Sequence, residues 1–169
     1  MATAAVLAAL ALAACGYPPA PDSSGPVAGV EQTTPTPSPG TLTFDMGQNL
    51  PLVKFPDGLK LADIKVGDGA TVKAGSAVTV QYAGYLTDGT KFDANDGLCA
   101  ILDASAQASG ACTPVIQGWI EGVPGMKVGG SRRLVIPPTL GYGSQAQGPI
   151  PANSTLIFII RVEQVTARP

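Results

Sequence analysis

The sequence contains no histidine among its 169 residues, and aromatic residues make up only 5% of it. Histidine is the usual general base near neutral pH and the commonest protein ligand for metals, so its absence argues against a Ser-His or Cys-His nucleophile and against a zinc site. Lys and Arg number 10 against 12 Asp and Glu, which leaves no basic surface for nucleic acid. We therefore expect no triad hydrolase, no metal, no cofactor and no nucleic-acid partner.

The sequence also lacks an apolar run long enough to cross a bilayer. Its opening, MATAAVLAALALAAC, is apolar only over residues 4–14, whereas a spanning helix needs roughly 20 residues. This length is typical of a signal peptide, and the segment Leu12–Cys15 is similar to the lipobox of bacterial lipoproteins, in which the cysteine carries lipid. We expect a signal peptide over 1–14 and a lipidated Cys15, which would export the protein and anchor it by its N-terminal lipid to a bacterial cell membrane. No Lys or Arg occurs before Lys54, so an Ala-rich N-terminus with a chance cysteine is the alternative.

The segment that follows Cys15 is dense in Pro, Ser, Thr and Gly and nearly free of large apolar residues. Such a composition cannot bury enough surface to offset the entropy lost on ordering. We expect residues 15–41 to form a disordered linker, which at this length spans roughly 30 Å. The folded domain is expected over residues 50–167.

Alternation of apolar and polar residues predicts strands in the second half of the chain. In SAVTVQYAG, the residues Val78, Val80 and Tyr82 share one face, which is typical of a half-buried strand. The stretch SRRLVI predicts a strand that ends at Pro137, because proline cannot donate to the sheet ladder. The stretch STLIFIIRVEQV is apolar on both faces at its start, so we expect it in the centre of the sheet.

A single helix is predicted over residues 115–123. Val115, Trp119 and Val123 recur at four-residue spacing, and the Pro-Gly pair that follows ends the helix. One short helix and several strands predict an α+β fold, in which an antiparallel sheet curls over the helix. Arg132 and Arg133 are neighbours on a strand, so they point to opposite faces, and we expect both to be solvated at sheet edges.

Three blocks of the sequence closely resemble, in order, successive blocks of the FKBP-type peptidyl-prolyl cis-trans isomerases. The blocks are VQYAGYLTDGTKFD, VIQGWIEGVPGMKVGGSRRLVIPPTLGYG and IPANSTLIFIIRVEQV, and the similarity covers roughly residues 58–165. The resemblance implies a strongly curved antiparallel sheet wrapped around one short helix, with a shallow aromatic pocket between them. It also implies that the pocket accepts proline-containing polypeptides and macrolides such as rapamycin. A monomer is the expected state.

The resemblance assigns roles to nine residues around a bound proline. Those expected to act in catalysis are Tyr82, Phe92, Asp93, Trp119, Tyr142 and Phe158, and those expected to bind substrate are Val115, Ile116 and Ile150. Trp119 would form the floor, and the Ile116 N–H and the Tyr142 hydroxyl would donate to carbonyl groups beside the target bond. Asp93 would make polar contacts, the alternatives being a general acid or base and a turn residue that bonds its own backbone.

The sequence departs from the family between Asp93 and Pro114. Many members have a Phe-rich strand there, whereas this chain offers only Leu98, Ile101 and Leu102 as apolar residues, so we expect a shallower pocket on that side. Cys99 and Cys112 flank the segment and are expected to form a disulfide, with two reduced thiols as the alternative. Such a bridge would hold the divergent wall in place of aromatic packing.

Three functions are compatible with the sequence. The first is a prolyl isomerase acting on X-Pro bonds of exported proteins by desolvation and transition-state binding in the aromatic pocket. The second is a proline-binding chaperone or interaction module without turnover, which the altered wall favours. The third is a solute-binding lipoprotein, for which the chain is short.

Overall fold

The computed structural model describes residues 40–106 and 112–166. They form seven strands, one α-helix and one 3-10 turn. The elements are β1 Val53–Lys54, β2 Lys60–Lys65, β3 Ala77–Tyr85, β4 Lys91–Ile101, β5 Cys112–Pro114, α1 Gln117–Gly122, β6 Ser131–Ile136, the 3-10 turn Pro138–Leu140 and β7 Leu156–Thr166.

The strands make one sheet with the order β1-β2-β6-β7-β3-β4-β5. All neighbouring strands are antiparallel except β4 and β5, which pair in parallel over three residues. The predicted fold class, a curved antiparallel sheet with one short helix, is confirmed. Strand β7 lies fourth of seven, as its two apolar faces predict.

Each face of the sheet carries its own apolar cluster. The larger one lies on the helix side and takes every second residue at the start of β7, such as Leu156 and Phe158, together with Trp119. The smaller one takes the intervening Ile157 and Ile159. Because successive side chains of a strand point to opposite faces, the continuous apolar run of β7 divides between the two clusters.

The helix lies close against β6 because it presents two glycines to that strand. A Cβ atom added to Gly118 would lie 2.5 Å from Ile136 Cγ2, and one added to Gly122 would lie 2.8 Å from Leu134 Cδ2. The helix begins two residues later than predicted, at Gln117, because Ile116 is still extended, with φ −63° and ψ 154°.

The expectation that Arg132 and Arg133 are solvated is wrong, since only 7% and 6% of their surfaces are exposed. Their strand β6 lies between β2 and β7 and is not an edge. On the helix side, Arg132 pairs with both carboxylate oxygens of Asp63, at 2.6 and 3.1 Å, and donates to Gly122 O at the helix C-terminus at 2.7 Å. Arg133 donates to Phe44 O at 2.5 Å on the opposite face. Each guanidinium is buried because oxygen acceptors replace its hydration.

The packed residues include a segment upstream of residue 50. Leu42 is 4% exposed within the smaller cluster, and its carbonyl accepts a hydrogen bond of 2.8 Å from the Tyr85 hydroxyl. Residues 42–49 lie between the linker and the domain that the sequence predicts. The predicted signal peptide and Cys15 lie outside the described residues. Within the part of the chain that is described, no helix has the length and apolar character that a membrane crossing requires.

Candidate functional site

Four aromatic rings from three strands and the helix meet on the helix side of the sheet. The Phe158 ring on β7 lies at the centre, with its centroid 5.3 Å from that of Trp119, 5.5 Å from Phe92 and 6.0 Å from Tyr82. Tyr82 and Trp119 are also in contact, at 5.2 Å and an interplanar angle of 83°. Edge-to-face pairs at these distances add about 0.5–1.5 kcal/mol each beyond their buried area. The rings therefore form a fixed apolar surface.

A glycine on β3 makes room for this arrangement. A Cβ atom at Gly84 would lie 2.7 Å from the Phe92 ring and 2.9 Å from the Phe158 ring. Any larger residue would force both rings away from the sheet. Packing of the Phe92 and Phe158 rings therefore requires a glycine at position 84.

A carboxylate at the rim is held by one of the rings. The Tyr82 hydroxyl donates to Asp93 Oδ2 at 2.5 Å, and Asp93 Oδ1 accepts from the Ala94 N–H at 2.9 Å. Burial raises the pKa of Tyr82, and the hydrogen bond and charge of Asp93 raise it further. Tyr82 therefore remains a neutral donor at physiological pH and fixes the orientation of the Asp93 side chain.

Two further donors border the rings. The Tyr142 hydroxyl follows the 3-10 turn, and its pKa is raised by burial and by the charge of Asp93, so it also remains protonated. The Ile116 N–H immediately precedes α1, and among the described residues it has no hydrogen-bond acceptor. The first N–H groups of any helix are left without an intrahelical partner, which makes them available to a ligand.

These groups surround a cavity of about 390 Å³ between the sheet and the helix. Its lining consists of Tyr82, Phe92, Asp93, Leu98, Thr113, Pro114, Val115, Ile116, Trp119, Tyr142 and Phe158. Of the nine residues proposed from sequence, all line the cavity except Ile150. Ile150 is 5% exposed and packs within the larger cluster instead.

The divergent wall is built differently from the sequence expectation. Of its three apolar residues only Leu98 lines the cavity, whereas Ile101 and Leu102 are each 1% exposed and belong to the buried interior. The remaining wall comes from Thr113 and Pro114 on β5, which the sequence analysis missed. The sequence signal that could have found them is their position directly after Cys112.

A disulfide joins that wall to the sheet. Cys99 and Cys112 are register partners of β4 and β5, their Cα atoms are 4.5 Å apart, and their sulfur atoms are bonded. Strand β5 has only three residues and pairs only with β4 among the described strands. The covalent link therefore fixes the edge that carries Thr113 and Pro114.

The cavity offers apolar contacts, hydrogen-bond donors and one carboxylate. Among residues 40–106 and 112–166, no three His, Cys, Asp or Glu side chains gather in a way that could hold a metal ion. Asp93 is the single carboxylate of the lining. Such a site suits reactions that require a change of geometry without proton transfer.

A curved antiparallel sheet around one short helix, with a ring-lined cavity between them, is the class of fold that the structure defines. Residues 68–163 match the sequence profile of the FKBP-type peptidyl-prolyl cis-trans isomerases. The chain belongs to this family.

Individual proteins show how far the similarity extends. FK506-binding protein 4 of Chaetomium thermophilum is 45% identical over 113 residues, which are 67% of this chain and 22% of that protein. FK506-binding protein 4 of Aspergillus fumigatus is 42% identical over 135 residues, 78% of this chain and 26% of that protein. The chain thus spans about a quarter of the length of these curated relatives. The crystal structure of FkpA from Escherichia coli is similar with a TM-score of 0.62 and 34% identity, over 73% of this chain and 55% of that one.

The prediction of an exported protein, lipid-anchored to a bacterial cell membrane, is wrong. The relatives reported above, and others like them, are FK506-binding proteins 3 and 4 of fungi, whereas the prediction placed the chain among bacterial membrane lipoproteins. The prediction rested on an apolar stretch and a four-residue motif around Cys15. Patterns this short arise by composition in an Ala-rich segment.

Proposed function

We propose that the chain isomerises X-Pro peptide bonds in the aromatic cavity. Membership of the family supports this activity, and the four-ring surface beside two hydrogen-bond donors is the observation that carries it. The substrate class is a polypeptide with an accessible proline. The pocket is also proposed to bind FK506, which gives the relatives their names, and related macrolides such as rapamycin.

The mechanism follows from the nature of the barrier. Amide resonance opposes rotation about the C–N bond by about 18–20 kcal/mol, and breaking that resonance needs no acid, base or metal. A pocket that binds the twisted imide more tightly than either planar isomer lowers the barrier by that difference. A million-fold acceleration would need roughly 8 kcal/mol. Removal of water from the imide and hydrogen bonds to its flanking carbonyls can supply energy of this order.

The lining residues have different proposed roles. Trp119 supports the proline ring from below, with Tyr82, Phe92 and Phe158 as walls. The Ile116 N–H and the Tyr142 hydroxyl donate to the carbonyl groups on either side of the target bond. Asp93 is fixed by Tyr82 and contributes a polar contact at the rim, whereas Val115, Leu98 and Pro114 complete the apolar enclosure.

The direct test is an isomerisation assay on a short peptide with an apolar residue before proline. We expect the wild-type chain to accelerate the exchange and FK506 to inhibit it by competition. Trp119→Leu should reduce kcat/KM at least tenfold because the floor loses its ring. Phe55→Ala removes a ring that is 40% exposed outside the cavity and serves as the matched control, with unchanged kcat/KM.

The second candidate function is a proline-binding module without turnover. The departure from the family at the β5 wall favours it, since part of the aromatic enclosure is replaced by Thr113 and Pro114. If the chain binds the peptide and FK506 but exchanges no X-Pro bond, this second function is correct. If it neither binds nor exchanges, both proposals are wrong.

A further inference from the structure

The carboxylate of Asp93 in the aromatic cavity is held in place and stays accessible. Its Oδ2 accepts from the Tyr82 hydroxyl and its Oδ1 accepts from the Ala94 N–H. The two oxygens of a carboxylate offer about four lone-pair sites, so these two bonds leave acceptor capacity. Because Asp93 is exposed at the rim, a ligand in the cavity can use that capacity.

No cationic side chain forms an ion pair with Asp93 within the described part of the chain. The salt bridge found there joins Arg132 of β6 to Asp63 of β2. Lys91 is the nearest cation along the strand that carries Asp93, but it borders a separate, polar cavity together with Leu42. The negative charge of Asp93 is therefore not neutralised by the protein at the place where a ligand would lie.

The segments that line the aromatic cavity are poor in cations. Residues 77–106, 112–123 and 137–160 contain one cation, Lys91, and five carboxylates, which are Asp88, Asp93, Asp96, Asp103 and Glu121. The other cations between residues 40 and 166 belong to the remaining segments. Arg161 is the one that follows Phe158 most closely along β7, and the alternation of side chains places it on the opposite face of the sheet. The charge around the cavity thus has one sign.

The field of Asp93 extends across the cavity. Burial raises the pKa of Tyr142, and the charge of Asp93 raises it further. The Tyr142 hydroxyl is one of the two proposed donors to the substrate, so the same field acts where the substrate binds. Apolar walls that exclude water strengthen such a field. A positive charge beside the bound proline would be attracted, and a negative charge would be repelled.

We propose that Asp93 selects, among X-Pro polypeptides, those with a lysine or arginine directly before or directly after the proline. This inference rests on the proposed function and adds a substrate class to it. The proline ring occupies the aromatic cavity, and the long side chain of the cationic neighbour reaches the rim and donates to Asp93. An aspartate or glutamate in the same place is disfavoured by the same charge.

The first experiment compares short peptides that differ in one charge. Two pairs of peptides carry lysine or glutamate, directly before the proline in one pair and directly after it in the other. In at least one pair we expect kcat/KM for the lysine peptide to exceed that for the glutamate peptide by about threefold or more at low ionic strength. The preference should shrink in salt, because the Debye length falls from about 10 Å at 0.1 M to about 3 Å at 1 M. Equal kcat/KM values within both pairs would overturn the inference.

The second experiment tests whether Asp93 is the source of the preference. Asp93→Asn keeps the shape of the side chain and an acceptor oxygen for Tyr82 but removes the charge, so the ratio of kcat/KM between lysine and glutamate peptides should fall to about one. Asp96→Asn is the matched control, since it removes the same charge from the same strand at a residue that bonds to Gln81 and does not line the aromatic cavity. Its ratio should equal that of wild type. A ratio that persists in Asp93→Asn, or that falls equally in both variants, would overturn the inference.

A reference peptide with leucine on both sides of the proline separates this inference from the proposed function. Trp119 is the single tryptophan and lines the cavity, so its fluorescence reports the binding of each peptide. If the chain accelerates exchange in the leucine peptide and does not distinguish lysine from glutamate, only this inference fails. If no peptide is bound or isomerised, the proposed function fails as well.

Discussion

At the scale of single residues, the hydroxyl groups of two tyrosines lie in different surroundings. Tyr142 borders the cavity and is 37% exposed, whereas Tyr85 is 7% exposed and donates to Leu42 O on the other face. The face of the sheet on which each tyrosine lies therefore determines what its hydroxyl contacts. Sequence analysis placed Tyr142 at the cavity through the family blocks, because a hydroxyl between glycines in LGYG has no periodicity of its own.

Replacing each tyrosine with phenylalanine separates activity from stability. Tyr142→Phe removes one of the two proposed donors to the substrate, and a neutral hydrogen bond contributes about 0.5–1.5 kcal/mol, so kcat/KM should fall about 2- to 13-fold. Tyr85→Phe should lower the free energy of unfolding by a similar amount and leave kcat/KM unchanged. Isomerase assays and urea denaturation of both variants make the comparison. Equal kcat/KM values for Tyr142→Phe and wild type would remove Tyr142 from the mechanism.

At the scale of elements, the short strand β5 depends on its disulfide. Closing a loop of about 15 residues contributes roughly 3 kcal/mol in the chain-entropy account. We expect the double variant Cys99→Ala, Cys112→Ala to lose about 2–3 kcal/mol of unfolding free energy. It should also bind X-Pro peptide several-fold more weakly, because Thr113 and Pro114 are then held by three residues of pairing alone.

Reduction of the wild-type protein provides the matched control for that variant. Dithiothreitol should weaken peptide binding by the wild type to the level of the double variant and should leave the double variant unchanged. Binding that is indifferent to both treatments would show that the bridge contributes only to stability. Fluorescence of Trp119 follows binding in all four samples.

The approach of α1 to β6 is set by Gly118. Alanine favours a helix by about 1 kcal/mol over glycine, but its Cβ would lie 2.5 Å from Ile136, a fully buried side chain. Overpacking of this kind costs about 1–3 kcal/mol, so the clash prevails and Gly118→Ala should destabilise the protein. Gly97→Ala is the matched control, since a Cβ there has no neighbour within 4 Å. Thermal unfolding of the two variants compares them, and a Gly118→Ala protein as stable as wild type would contradict this packing.

At the scale of the whole molecule, the sheet holds an interior on each face, and only one of them meets the cavity. Leu42→Ala truncates a residue of the smaller cluster, and such a change typically costs about 2–5 kcal/mol. We expect a loss near the lower limit, because the cluster is small, and no change in kcat/KM at temperatures where the variant is folded. Denaturation and isomerase assays on the same preparation would show it. A parallel loss of kcat/KM would mean that the two faces are coupled.

The sequence by itself determined the family, the fold class, the central place of β7 and most of the residues that line the cavity. These properties follow from residue order: an apolar run on both faces needs two buried interiors, and the rings within the family's blocks take the positions in the fold that the blocks predict. The tertiary structure alone decided that Arg132 and Arg133 are buried, that Ile150 lies in the interior and that Thr113 and Pro114 form a wall. Those outcomes depend on which strands are neighbours and on partners such as Asp63, 69 positions away from Arg132. The spacing of residues along the chain cannot predict such contacts, because a polar residue is buried only where folding brings hydrogen-bond partners to it.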